Sequence, residues 1–176
     1  MRIVQACLVA VLLAACSRPL SAQSEPVPPA PAAAAPDAGA PVSGVYTANG
    51  KPAALTDVQV RPDDPIDGKS ANAIVFTVSP QHGDAAAIED AHEGKFGDAL
   101  IVRVTVDGTV EGADLIHHGL SETNGYVSTV GVVTIDNYRV SGGEVFGHVT
   151  SGGPSDSGDG QKVNVDLTFH AKAPGT

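Results

Sequence analysis

Six histidines, His82, His92, His117, His118, His148 and His170, are the residues of this chain best suited to chemistry, because imidazole is the commonest protein ligand for zinc and copper. Their spacing limits what they can do. There is no His-x-His pair, and the adjacent pair His117-His118 sits at the end of an expected strand. Successive strand side chains point to opposite faces, so both could reach one ion only across a bulge. His82, Asp84 and His92 can gather around a short expected helix, where solvated surface residues account for them equally well. The sequence therefore assigns no metal ligand and no cofactor, and periplasmic metal handling by surface histidines is kept as an alternative reading.

Other reactive-looking stretches fail on order or spacing. Ser151-Gly152-Gly153-Pro154-Ser155-Asp156-Ser157-Gly158-Asp159-Gly160 holds the pieces of a trypsin-like nucleophile motif in the wrong order, and a polar Gly-rich loop between strands explains it. Asp63-Asp64-Pro65-Ile66-Asp67-Gly68 starts like a calcium loop, but has Pro65 at its third position and Ile74 at its twelfth, where a bidentate acid is required. It is read as a turn. Glu89, Asp90 and Glu93 could pair as glycosidase carboxylates, yet acids on a short exposed helix are usually just solvated. With no nucleophile elbow, phosphate loop or dinucleotide fingerprint in the sequence, no catalytic residue is assigned and the chain is read as non-enzymatic.

The amino terminus carries the most specific signal. Met1-Arg2 is followed by an apolar run from Ile3 to Ala15, the length of a signal-peptide core and too short for the roughly 20 residues that span a bilayer. The run closes in Leu13-Ala14-Ala15-Cys16, which resembles the lipobox of bacterial lipoproteins. That resemblance implies cleavage before Cys16, lipidation of its sulfur and acylation of the new amino terminus. Residues 1–15 are then the signal peptide, and the membrane is a partner through Cys16. Ser17 rather than Asp after the cysteine implies, by the same resemblance, the outer membrane, and the domain is expected to face the periplasm. Cys7 is a poor rival, since cutting there leaves almost no apolar run; ordinary cleavage near Ala22 would place the large Leu20 two residues before its cut.

Charge narrows the partners. The full chain has net charge −10, and losing Arg2 with the signal leaves nine bases against twenty acids. Nucleic acid and anionic lipid both attract basic patches, so neither is expected to bind the mature chain electrostatically. With Cys7 removed and Cys16 lipidated, no disulfide is available to an exported domain, and its core must hold it together.

These groups need elements to hold them. Residues 16–42 are rich in Pro and Ala and read as an extended tether. From Ser43 the texture changes to Val, Ile and Thr runs punctuated by Gly, Asn and Asp, so residues 43–176 read as one all-β domain, an antiparallel sandwich or barrel-like fold with one short helix. Strands are expected at 44–48, 54–60, 73–79, 100–106, 110–117, 127–136, 144–150 and 162–171. Two-residue turns are expected at Asn49-Gly50, Asp107-Gly108 and Gly142-Gly143, with a meander as the default topology. Asp84 should cap a helix through His92, closed by Gly94, that packs over one end of the sheet. The domain is read as binding an envelope or secreted protein, in the manner of an assembly factor or toxin inhibitor, with loops 119–125 and 151–160 as contacts. Carriage of a small apolar ligand is a further alternative.

Overall fold

The computed structural model describes residues 40–81, 87–120, 126–158 and 160–175, so the lipobox-like stretch ending at Cys16 and nearly all of the expected tether lie outside the described residues. The domain is an antiparallel β-sandwich, not a barrel. One sheet runs β2 (Lys51–Ala53), β1 (Val42–Ala48), β11 (Lys162–Lys172), β9 (Glu144–Thr150), β8 (Thr134–Ser141), with β10 (Ser155–Asp156) paired to β11. The other is a meander of β3 (Asp57–Ile66), β4 (Lys69–Thr77), β5 (Ala99–Thr105), β6 (Val110–Ile116) and β7 (Val127–Thr129). The first sheet is no meander, because its first long strand pairs with the last, Tyr46 opposite Val165.

Period-two patterning explains the layers. Along β11, Val163, Val165, Leu167 and Phe169 are buried, while Asp166 and Thr168 face solvent. Burying each such side chain contributes about 1.5–3 kcal/mol. Phe76 and Phe169 meet edge to face at 5.3 Å across the core. On β5, Leu100, Val102 and Val104 face the same core, and the outward Ile101 is buried as well. Its cover is α1 (Ala87–His92), which lays Ile88 and Ala91 on Ala73, Val75, Ala99, Ile101 and Ile116, with Phe96 and Tyr126 alongside. The helix thus lies against the outer face of β4 and β5 rather than over a sheet end. The expected cap Asp84 falls outside the described residues. The other end stops as expected at Gly94, whose φ is +71°; its amide donates to Ala91 O and that of Lys95 to Asp90 O, each at 2.9 Å.

Two expected turns hold. Asn49-Gly50 and Gly142-Gly143 have positive φ at both residues and join adjacent antiparallel strands. Pro52 is tolerated because β2 is an edge strand. At Asp107-Gly108 the connection is four residues long: Asp107 accepts from the Thr105 hydroxyl, and the Gly108 amide closes on Thr105 O at 2.9 Å. Val106 consequently leaves the strand and is 57% exposed.

Three other expectations change. The stretch from Asp63 to Gly68 is largely strand, since β3 continues to Ile66 across a register shift and only Asp67-Gly68 turns, with φ of +50° and +76°. The single strand expected at 127–136 is two strands in different sheets, the chain crossing between them through Gly131 at φ +75°. The strand expected to reach His117 stops at Ile116.

Candidate functional sites

The end of β6 brings together the residues with the most ligand chemistry. Ala99 pairs with Ile116, so Asp98 and His117 lie just beyond the last rung of the β5–β6 ladder. His117 and His118 have left the strand, and their rings stack at 4.7 Å and 24° instead of facing opposite ways. The sequence expectation failed because strand alternation stops where the ladder does. His118 is held from both sides of one carboxylate: its amide donates to Asp98 Oδ1 at 2.6 Å, and its Nδ1 lies 2.6 Å from Oδ2. One ligand atom from each of Asp98, His117 and His118 falls within 4.8 Å of the others.

His117 is the buried member, 2% exposed against the edge of Tyr46 at 4.8 Å. Its Nδ1 accepts the Gly119 amide at 2.8 Å, which places the neutral ring's proton on Nε2. Nε2 has no hydrogen-bond partner. Burial lowers the pKa of His117; the Asp98 charge opposes this, and His118 and Lys51 reinforce it. The Lys51 carbonyl favours the charged ring weakly, without forming a hydrogen bond to Nε2. Tyr46 donates its hydroxyl to Ala99 O at 3.2 Å, and burial first, then Asp98, raises its pKa far above the ordinary value. Gly119 is required here, because a Cβ would stand 2.4 Å from Ala48 O.

A second cluster lies on the outer face of the β3–β7 sheet. Asp114, 7% exposed, accepts from Ser128 Oγ at 2.5 Å and Arg103 at 3.4 Å, and lies 3.0 Å from His92 Nε2. His92 stacks on Tyr126 at 4.3 Å. These residues line a recess of about 410 Å³ beside α1. The sequence reading missed Asp114. A lone acid inside the strand run Ala113-Asp114-Leu115-Ile116, two register positions from Arg103 and on the same face of the paired strand, was the available signal.

The third place is the solvent face of β8, β9 and β11. His148 sits between two carboxylates, Nε2 at 2.8 Å from Asp166 and Nδ1 at 3.7 Å from Asp136. Arg139 lies 4.3 Å over the Phe146 ring, which stacks against His170 at 6.3 Å. A register shift between Asp136 and Arg139, with Asn137 at φ +55°, opens a recess of about 470 Å³ lined by Asn137, Arg139, Phe146 and His148.

Asp90, Glu93 and the serines of loop 151–160 have structural partners. Asp90 and Glu93 both bind Lys95, at 2.6 and 2.9 Å. Ser151 Oγ donates to Gly153 O at 2.7 Å and accepts from Val165 N at 2.9 Å, while Ser155 belongs to β10 and Ser157 closes on Gln161. Loop 151–160 is therefore internally tied in its described part. His82, Asp84 and residues 121–125 lie outside the described residues. Among the described residues no helix is long and apolar enough to cross a membrane. The chain matches no protein-family model, no curated protein and no solved structure.

Proposed function

We propose that this protein is a cell-envelope lipoprotein, anchored in the outer membrane through acylated Cys16 and facing the periplasm, whose β-sandwich binds a protein partner without catalysing a reaction. The observation that carries the binding half is the β8–β9–β11 face. It sets Arg139, Phe146 and His170 together where β8 is the edge of its sheet among the described residues, whereas the opposite sheet has α1 over its outer face. Arg and aromatic residues are enriched in protein interfaces, and they contribute most when desolvated together. Asp136 and Asp166 border the face in a chain of net charge −10, which suits a partner with a basic surface.

The anchor gives this binding a purpose. Two or three acyl chains, at about 0.8 kcal/mol per buried CH₂, hold a protein where one chain does not. A domain on a Pro/Ala tether then meets envelope or secreted proteins at raised effective concentration.

Metabolic labelling with a fatty acid should mark the protein, and Cys16→Ala should abolish the label; a label that persists in that variant contradicts the anchor. Crosslinking of the anchored protein in cells should recover a basic envelope or secreted protein. The pair Arg139→Glu and Phe146→Ala, with unchanged circular dichroism, should remove that adduct, and its persistence contradicts the proposed face.

A further inference from the structure

We infer that Asp98, His117 and His118 form a binding site for a divalent transition-metal ion of the zinc or copper type. The inference rests on the β5–β6 corner alone and is independent of any protein partner. Two imidazoles and one carboxylate make a nitrogen-rich, borderline donor set, which suits zinc and copper(II) better than calcium or magnesium. Their donor atoms already lie within 4.8 Å of one another. Around a tetrahedral zinc with bonds near 2.0–2.2 Å, neighbouring donors are separated by roughly 3.3–3.6 Å, so the widest pair must close by at most about 1.5 Å, within reach of a side-chain rotation.

Each residue is prepared differently. His118 Nδ1 and Asp98 Oδ2 converge at 2.6 Å on a proton that an ion would replace, with the pair opening by about 0.8 Å to accommodate it. His118 is 53% exposed on its side chain, so once an ion takes the place of the proton between it and Asp98, the ring has room on the solvent side to turn toward the ion. His117 is fixed by Tyr46 and by the loop that Gly119 closes, and its Nε2 has no acceptor to give up. Ligation through Nε2 would move the ring proton to Nδ1 and break the 2.8 Å contact with the Gly119 amide. Ligation through Nδ1 would break the same contact directly. Three protein ligands with one exposed side leave a coordination position for water or a ligand from solution.

The test uses the full mature lipoprotein in detergent, with cobalt(II) as the spectroscopic stand-in for zinc. Wild type should bind one ion per chain, with the visible absorption of a four-coordinate nitrogen and oxygen site that zinc then displaces. His118→Ala and Asp98→Asn, each with unchanged circular dichroism, should weaken binding at least tenfold. The Gly119 amide resonance should move on metal addition in wild type. Failure to bind at 100 µM metal would overturn the inference, as would binding that survives His118→Ala or is lost instead in His148→Ala.

Discussion

Asp98 holds His118 by both its oxygens, the backbone amide at one and the imidazole at the other, each contact 2.6 Å long. The carboxylate thereby fixes the first residues after β6 and keeps the two histidine rings stacked. Asp98→Ala should cost about 1–2 kcal/mol, because it leaves an amide hydrogen bond unmade and an exposed ion pair contributes little. Urea denaturation measures this. A change near zero would mean that the loop is held by the Gly119 and Leu120 amide contacts to His117 alone.

Protonation should loosen the same corner. The pKa of His117 is lowered from 6.5 in the folded chain, first by burial, so the unfolded chain binds the proton more tightly. Stability should therefore fall as pH drops below about 6.5, and level off once the folded chain also takes up the proton. Denaturation midpoints between pH 7.5 and 5 should show the slope, and His117→Gln should flatten it. An unchanged slope in that variant would assign it to another histidine.

Gly44 ties the two ends of the domain together. Its φ is +132°, and a Cβ would stand 1.9 Å from Asp166 O on the neighbouring β11. Gly44→Ala should cost more than about 2 kcal/mol, since both the backbone conformation and the strand spacing must change. Calorimetry on the purified protein checks this, and a melting temperature within a degree of wild type would contradict the packing described.

How far the sequence revealed these features depends on how local their causes are. The alternation of Val163, Val165, Leu167 and Phe169 made β11 legible, and paired positive-φ residues made the turns at Asn49-Gly50 and Gly142-Gly143 legible. Ile101, an apolar residue on the outward face of the alternating strand β5, lies where α1 covers the sheet. What stayed hidden depended on the ladder. His117 and His118 meet only because β6 ends one residue earlier than its composition suggests, and Val127 to Asp136 keeps one texture while changing sheets. Asp114 became a buried hub through residues from α1, β5 and β7, which no local pattern connects.

Asp114 should accordingly be sensitive to isosteric change. Asn offers one acceptor where the carboxylate offers two, so Asp114→Asn leaves Ser128, Arg103 or His92 facing a donor. A loss of about 2 kcal/mol is expected, from a nearly buried charge-assisted network. Hydrogen exchange should show α1 opening first, because His92 joins the helix to this network. Uniform loss of protection across the domain would contradict that role.

An anchored sandwich that holds a basic protein on its β8–β9–β11 face must make its contacts there and not on α1. The most direct measurement places a photocrosslinking side chain at Phe146, and in a parallel strain at Glu89 on α1, in the full-length protein in living cells. One discrete adduct with a basic envelope or secreted protein, formed from position 146, absent from position 89 and lost in Cys16→Ala, is the predicted result. Equal adducts from both positions, or none from position 146 in a correctly anchored protein, would contradict the claim.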